Sequence, residues 1–137
     1  MASREIVGWQ IALSIDAELV CDALVMAVEN RGKAPRGCIF HSDQGSQYAS
    51  KQLRKLLKLY GMIQSMSRRG QCWDNAPMES FFSSLKQEYK EALEFCGLDD
   101  ARSGLFEYIE VFYNRNRMHS SIGYQVPKCY EAKMPLN

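Results

Sequence analysis

A change of hydrophobic period near the start of the chain most constrains its fold. From Glu5 to Ile15, apolar residues alternate with smaller or more polar ones, which predicts a strand. Residues 17–30 instead repeat apolar side chains every three or four positions, between Asp16 as N-cap and Gly32 as stop, which predicts an amphipathic helix. A short apolar run at 38–41 then predicts a buried strand. Strand, helix and strand in this order predict an α/β fold with parallel pairing.

The rest of the chain gives further helix and strand signals. They predict an apolar-faced helix, a short edge strand and two more helices, at residues 50–60, 62–66, 74–93 and 99–113. The third helix is expected to begin at Asp74 or Asn75, since either is a good cap. Residues 114–137 are expected to form a turn-rich extension. A length of 137 residues predicts a single domain.

Composition excludes several classes of protein. A hydrophobic fraction of 46% with 24% charged residues indicates an ordinary globular core rather than disorder or a disulfide miniprotein. The net charge of +1 does not indicate nucleic-acid binding by the whole chain, although a local basic surface stays open. Five scattered cysteines without a CxxC pair predict reduced, mostly buried thiols. Without a membrane span or a signal peptide, a cytoplasmic protein that does not bind membranes is expected.

Asp43 is the first candidate for chemistry. It directly follows the strand predicted at 38–41, and catalytic groups gather at the carboxyl ends of strands in open α/β sheets. An Asp followed by Gln44 and Gly45 is equally typical of a residue that caps a turn. Placement alone does not separate a ligand role from a turn role.

Glu79 is the second candidate and lies near the start of the third predicted helix. Taken alone, it is better interpreted as a solvated Glu favoured by the helix dipole. Helical register favours a functional role, because Glu79 begins a polar stripe that lies beside an apolar stripe of Phe82, Leu85 and Tyr89. The other members of the polar stripe are Ser83, Lys86 and Lys90. A carboxylate and an amine on one face could hold a divalent metal and a phosphate side by side.

Basic residues concentrate before the third helix and after the fourth. The two groups are Arg68 with Arg69, and Arg115 and Arg117 with His119. Aromatic residues stand nearby, as they do in single-strand nucleic-acid sites, at Trp73, Tyr113 and Tyr124. Merely solvated arginines and a Trp that packs at the helix entry explain the pattern equally well. The chain has no zinc spacing and no nucleotide-binding, zinc-protease or serine-hydrolase motif.

Three blocks of residues together resemble the integrase catalytic core of bacterial insertion-sequence transposases, relatives of retroviral integrases. The first is His41-Ser42-Asp43-Gln44-Gly45-Ser46-Gln47-Tyr48. The second runs from Trp73-Asp74-Asn75-Ala76-Pro77-Met78-Glu79 to Phe82, with Leu85, Lys86 and Glu88. The third comprises Tyr113-Asn114, Arg117, His119-Ser120-Ser121, Gly123-Tyr124, Pro127 and Tyr130-Glu131. The 35 residues between Asp43 and Glu79 match that family's spacing between the second and third acidic residues of its Asp-Asp-Glu triad.

The resemblance implies a ribonuclease H-like fold, a mixed sheet flanked by helices, and metal-dependent cleavage and transfer of DNA strands. Asp43 and Glu79 are then catalytic metal ligands in a site for two Mg²⁺ or Mn²⁺ ions. Lys86 matches a position that contacts the DNA backbone. Further DNA contacts are expected from charge, position or the matching blocks, at Arg68, Arg69, Asn75, Arg117 and His119.

The resemblance departs from the family at the first acidic residue. The family carries that Asp on a strand upstream of the segment resembling Arg4 to Trp9, so we expect an incomplete core that lacks its first strands and is inactive alone. Unpaired strand edges then predict a homo-oligomer. Two other interpretations stay open, namely a non-catalytic DNA-binding or inhibitory module and a nuclease with another substrate.

Overall fold

The computed structural model describes residues 3–33, 36–68, 76–89 and 94–134. The chain forms two compact units. Residues 7–76 make up the sheet unit, and residues 1–6 with 77–137 make up the helical unit. The expectation of a single domain stays a prediction.

The first helix, α1, confirms the helix predicted at 17–30 and spans Ala17–Arg31. Asp16 caps it as predicted, because its Oδ1 accepts a hydrogen bond from the Leu19 N–H at 3.0 Å. Gly32 ends it in the left-handed conformation, with φ of 73°. Its N–H donates to the Val28 and Glu29 carbonyls. Local capping chemistry therefore fixes both ends of α1.

Two parallel strands and the helix between them form the centre of the sheet unit. Strands β1 (Ile39–Ser42) and β2 (Ile63–Met66) pair with Ile39 opposite Ile63, and helix α2 spans Lys51–Tyr60. The second helix and the short strand after it are therefore confirmed. Over the described residues the sheet consists of this parallel pair.

Strand β1 is less buried than its apolar sequence predicts. Ile39 is 62% exposed, and within the strand only Ser42 is buried. Phe40 packs against the core that α1 and α2 form around Cys21, Leu24, Leu53 and Leu57. Alternate residues of a strand point to opposite faces, so Ile39 lies on the face away from these helices. One side of the sheet is covered and the other is exposed.

The strand predicted from Glu5 to Ile15 is wrong. Residues 4–12 have no regular structure, because β1 and β2 pair with each other and the segment's backbone bonds to side chains instead. Asn30 Nδ2 donates to the Val7 carbonyl at 2.8 Å, and the Trp9 N–H contacts Met26 Sδ at 3.5 Å. A Cβ on Gly8 would lie 2.7 Å from Ala27 Cβ, so only glycine lets the segment lie this close to α1.

Helices α3, α4 and α5 form the helical unit and span Ala76–Glu88, Leu98–Phe106 and Pro127–Lys133. The predicted caps of α3, Asp74 and Asn75, lie outside the described residues. The helix predicted from 99 to 113 is confirmed in extent, but its second half, Glu107–Tyr113, is π-helical. The turn-rich tail contains α5, whose seven residues are too few to show a helical period.

Asn114 ties three parts of the helical unit together and is buried. Its side chain accepts the Ile6 N–H and donates to the Ile6 carbonyl, both at 2.8 Å. Its own carbonyl accepts the Lys128 N–H at 2.8 Å. Lys128 also pairs with Glu5, at 2.9 Å between Nζ and Oε1. The start of the chain and the start of α5 are thereby held to the end of the π-helical segment.

Aromatic rings form the core of the helical unit. Phe81 is buried and meets the Tyr113 ring edge-on at 5.0 Å between centroids, with Tyr108 at 6.4 Å. Tyr89 stacks on Tyr108 at 5.5 Å. Phe82, predicted to lie in the apolar stripe of α3, is 48% exposed, so Phe81 takes the buried position. Leu85 and Tyr89 are partly buried, as an apolar stripe requires.

The four described cysteines are all free, which agrees with the expected reduced thiols. Their expected burial is wrong for three of them, because only Cys21 lies in a core and Cys38, Cys96 and Cys129 are exposed. Cys72 lies outside the described residues. Across the part of the chain that the structure describes, no helix is long and apolar enough to cross a membrane.

Candidate functional site

Asp43 lies at the carboxyl end of β1, where the predicted chemistry places it, and is exposed. Ser42 fixes the strand end, because its carbonyl accepts the Ser67 N–H at 2.8 Å. Its buried hydroxyl also donates to the Asp43 carbonyl at 2.9 Å. The parallel ladder thus holds the backbone that carries Asp43.

The turn that follows Asp43 uses one of its carboxylate oxygens. Oδ1 accepts the Gly45 N–H at 2.7 Å, which confirms the turn-capping interpretation. A carboxylate has about four lone-pair sites, so this bond leaves acceptor capacity for a cation. Burial raises the pKa of the Tyr48 hydroxyl, and the charge of Asp43 raises it further. Asp43 can therefore cap the turn and still offer carboxylate oxygens to a metal ion.

Arg68 follows β2 at the same carboxyl edge of the sheet and is exposed. Because Ser42 pairs with Met66, the chain leaves both strands at this edge, with Asp43 after one and Arg68 after the other. A basic side chain therefore belongs to the same edge as the candidate ligand. Arg69, Trp73 and Asn75 lie outside the described residues, so their predicted roles stay predictions.

Glu79 lies in the first turn of α3 on its outer face. Glu79, Ser83 and Lys86 are all exposed and share this face, as the register predicts. The inner face carries Phe81, Ser84, Leu85 and Glu88. Lys86 lies two turns from Glu79, about 10 Å along the axis. Lys90, the last residue of the predicted stripe, lies outside the described residues.

The inner face of α3 is held by a polar cluster that we name the Glu88–Arg117 network, comprising Ser84, Glu88, Tyr108, Arg117 and His119. Arg117 Nε donates to Glu88 Oε1 at 2.8 Å, and Arg117 Nη2 lies 2.8 Å from the same oxygen. The Tyr108 hydroxyl donates to Glu88 Oε2 at 3.0 Å. Arg117 Nη2 also lies 3.4 Å from Ser84 Oγ. Two residues of α3 are thus bonded to one guanidinium.

His119 completes the network and is buried. Arg117 Nη1 lies 3.1 Å from His119 Nδ1, and a guanidinium only donates, so this ring nitrogen acts as the acceptor. The backbone N–H of His119 donates to the Gln125 carbonyl at 3.0 Å. The turn between these two residues contains Gly123, which has a φ of 70°. The Tyr113 ring meets the imidazole edge-on at 4.7 Å. The network therefore needs a neutral imidazole.

Burial and charge shift the pKa values of this network. Burial lowers the pKa of His119, and the positive charges of Arg117 and Arg4 lower it further. The hydrogen bond from Arg117 lowers the pKa of Glu88. The hydrogen bond that Arg117 donates to Glu88 raises the pKa of Arg117, and burial raises the pKa of Tyr108. The folded chain therefore favours ionised Glu88 and Arg117 beside an uncharged His119.

The structure groups the predicted site residues in three places. Asp43 and Arg68 share one edge of the sheet unit, and Glu79 and Lys86 share one face of α3. Arg117 and His119 lie together, but their polar atoms contact residues of this chain. Exposed carboxylates are hard oxygen donors of the kind that Mg²⁺ prefers. Within the described ranges, no three His, Cys, Asp or Glu residues cluster in a way that could hold a metal.

Sequence reasoning missed the roles of Glu88, Tyr108 and Asn114. Glu88 and Asn114 stand in the motif blocks, but their partners are 29 and 108 residues away in sequence. Tyr108 stands in the helix predicted at 99–113, and its partner Glu88 is 20 residues away in sequence. Arg117 and Glu88 have opposite charges in neighbouring blocks, which is the one signal that could have paired them.

Two family models match the chain, and both are described as Integrase core domain. One covers residues 1–72 and the other residues 60–127. Together they extend over nearly all the residues that carry the motif blocks.

Several transposon proteins are similar to the chain in sequence. It is 42% identical over 129 residues to the transposase for insertion sequence element IS904 of Lactococcus lactis subsp. lactis strain IL1403, covering 94% of this chain and 51% of that protein. It is 43% identical over 129 residues to the insertion element IS600 uncharacterized 31 kDa protein of Shigella sonnei, covering 94% and 47%. It is 44% identical over 131 residues to transposase InsF for insertion sequence IS3A of Escherichia coli K12, covering 96% and 45%. The chain spans about half the length of these relatives.

A solved structure with a similar fold supports the sequence matches. A chain in the cryoEM structure of a simian T-cell lymphotropic virus intasome in complex with PP2A regulatory subunit B56 gamma aligns with a TM-score of 0.68 at 11% identity. The match covers 92% of this chain and 44% of that one. The likeness confirms the predicted ribonuclease H-like α/β fold class.

Proposed function

Because this chain belongs to the integrase core domain family, we propose that it is the catalytic core of an insertion-sequence transposase that cuts DNA strands and joins them elsewhere. The observation that carries the proposal is the exposed Asp43 carboxylate at the carboxyl end of a parallel strand. Its relatives carry names of transposases for insertion sequences. Those names support DNA as the substrate of the proposed reaction.

Asp43 and Glu79 are the proposed metal ligands. Each offers an exposed carboxylate from a regular element within its own unit, Asp43 at the end of β1 and Glu79 in the first turn of α3. When bound, two Mg²⁺ or Mn²⁺ ions would activate the attacking oxygen and stabilise the leaving one. The helix dipole also favours a negative side chain at Glu79, in the first turn of α3.

Positive side chains are the proposed contacts to DNA phosphates. Lys86 is exposed on the same face of α3 as Glu79, and Arg68 is exposed at the same sheet edge as Asp43. A Lys binds phosphate as a point charge, so neither needs a fixed geometry before DNA binds. Arg69 and Asn75 keep the same proposed role from sequence alone. For Arg117 and His119, the observed bonds within the chain favour a positioning role instead.

We expect the 137 residues to lack cleavage activity by themselves, because the resemblance assigns them two carboxylates of a triad of three. A hybrid tests this, in which the chain replaces the matching segment of the IS3A transposase. With Mn²⁺ and DNA carrying the ends of that element, the hybrid should cleave and the chain alone should not. Cleavage by the chain at the rate of the hybrid would refute the expected inactivity. A folded hybrid that binds the DNA without cutting it would refute the catalytic-core proposal.

A homo-oligomer is proposed from the exposed apolar residues of the sheet unit. Leu13 is 92% exposed, Ile15 78%, Ile39 62% and Ile63 57%. The last two are paired across β1 and β2, and exposed apolar strands promote pairing between chains. Light scattering should show a mass above one chain that rises with concentration. Ile39→Lys with Ile63→Lys should shift it to the monomer, and a monomeric wild-type protein at high concentration would overturn the proposal.

The alternative is a non-catalytic module that binds DNA or inhibits an intact transposase. The absence of a three-residue metal cluster among the described residues is compatible with it. Under this alternative, the hybrid and its Glu79→Gln variant should bind DNA with equal affinity, and neither should cut it.

A further inference from the structure

The exposed side of α2 carries an unbroken row of positive charge. We name Lys51, Arg54, Lys55 and Lys58 the basic face of α2; all four are exposed. Their spacing of three and four residues places them on one side of the helix, opposite Leu53, Leu56, Leu57 and Tyr60, which pack into the core. Over the described residues, none of the four forms an ion pair.

This arrangement works against the stability of α2. Like charges three and four residues apart repel each other on a helix surface, and Lys51 places a positive charge in the first turn, against the helix dipole. The helix has no acidic residue to offset them. A merely solvated face would gain from mixed charges, so the uniform sign indicates a polyanionic ligand.

The net charge of the whole chain is close to zero, but its positive and negative residues lie in different segments. Between Gln44 and Trp73 the sequence has six Lys or Arg residues and no Asp or Glu. All 16 acidic residues of the chain stand in other segments, and Glu18, Asp22 and Glu29 are among them on α1. Within this stretch, the basic residues lie on α2 and just after β2, with no acidic residue among them.

We propose that the basic face of α2 binds the sugar-phosphate backbone of duplex DNA. Lys51 to Lys58 spans about 10 Å along the helix, which matches about three successive phosphates of one strand at 3.4 Å per residue along the duplex axis. Three of the four residues in the row are lysines. Contacts to phosphate carry no sequence information, so the face binds backbone charge without reading base sequence. The proposal rests on the proposed function in that DNA is its substrate, and it adds a surface that no motif residue occupies.

The test measures binding of the 137-residue chain to a fluorescein-labelled mixed-sequence duplex by anisotropy, across a series of salt concentrations. EDTA is present throughout, so binding is measured without DNA cleavage. The result can therefore be interpreted even if the cleavage proposal fails. The variant replaces Lys51, Arg54, Lys55 and Lys58 by Gln. We expect about tenfold weaker binding or more, and a slope of log affinity against log salt that is about 3 units shallower.

Matched variants separate this face from net charge. Arg54→Gln with Lys58→Gln removes two charges from α2, and Arg102→Gln with Lys133→Gln removes two exposed charges from the helical unit. The first pair should lower the salt slope by about 2 units and the second should change it by less than half of that. Melting temperatures of the α2 variants should equal or exceed the wild-type value, because repulsion is removed.

An unchanged salt slope in a folded fourfold variant would overturn the proposal. Equal losses from the two double variants would overturn it as well, since they would show a response to net charge alone. Poly-L-glutamate serves as the probe for an acidic protein partner. If the fourfold variant loses binding to this polymer and keeps its affinity for DNA, the face is a protein-docking surface and the DNA proposal is wrong.

Discussion

Glu79→Gln in the hybrid transposase is expected to reduce DNA cleavage by about a thousandfold or more. The amide keeps the size of the side chain and the α3 backbone but carries no negative charge for a divalent cation. Glu79 is exposed on the outer face of α3, so the melting temperature should stay within about 2 °C of that of the parent hybrid. The measurement is the initial rate of end cleavage with Mn²⁺, with DNA affinity determined separately.

Glu18→Gln provides the matched control for this substitution. Glu18 is also an exposed Glu in the first turn of a helix, α1, and it has no place in the proposed site. Its replacement should leave cleavage within about twofold of the parent. Asp43→Asn should behave like Glu79→Gln, because the asparagine oxygen can still accept the Gly45 N–H and keep the turn. Cleavage at the parental rate by either site variant would contradict the assigned ligand role.

Arg117→Met is expected to lower the free energy of unfolding by about 2 to 3 kcal/mol. The change leaves the Glu88 carboxylate without its cation, and leaves Ser84 and His119 without their donor. The side chains of Arg117 and Glu88 are 25% and 32% exposed, so solvent screens part of the loss and the value stays below that of a fully buried pair. Urea unfolding at about pH 7 measures it.

A double variant distinguishes this network from a DNA contact. Glu88→Leu with Arg117→Met removes both charges and should be more stable than Arg117→Met alone. Arg102→Met is the control, because its pair with Asp99 at 3.9 Å is exposed and should contribute under about 0.5 kcal/mol. If Arg117→Met keeps wild-type stability and weakens DNA binding, Arg117 is a DNA contact, as its charge and position first suggested.

The pH dependence of stability gives a second readout of the network. The pKa of His119 is lowered in the folded chain, so as pH falls below about 6.5 the unfolded chain takes up a proton that the folded chain resists. The pKa of Glu88 is also lowered, so its stabilisation is present above about 4.5 and is lost as pH falls through the lower folded value. Stability should therefore fall on acidification, and Arg117→Met should flatten that fall.

The sequence predicted the helices α1 and α2, whose ends are fixed by hydrogen bonds between residues close together in the chain. Capping bonds to residues three or four positions away fix the ends of α1, at Asp16 and Gly32, and of α2, at Ser50 and Gly61. The same reasoning failed for residues 5–15, because alternation makes a strand only where another strand offers a ladder. The bonds of this segment instead depend on Asn30 and on close packing at Gly8.

In the candidate site too, the features set by nearby residues were predictable and those set by distant residues were not. Asp43 and the face shared by Glu79 and Lys86 were predictable, since a strand end and a helical register place them. The partners of Arg117 were not predictable, because 29 residues separate it from Glu88 and nothing local distinguishes a paired Arg from a solvated one. The basic face of α2 was not predicted, because the apolar face was sufficient to predict the helix and drew no attention to the charges opposite.

Asp43 and Glu79 are proposed to supply carboxylates to bound metal, and Mn²⁺ titration of the hybrid measures this role without any cleavage step. Paramagnetic resonance of free Mn²⁺ gives the number of ions bound and their affinity. We expect Asp43→Asn and Glu79→Gln each to weaken Mn²⁺ binding by about tenfold or more, and the Glu18→Gln hybrid to bind Mn²⁺ like the parent. Identical Mn²⁺ binding curves for the parent and both site variants would contradict it.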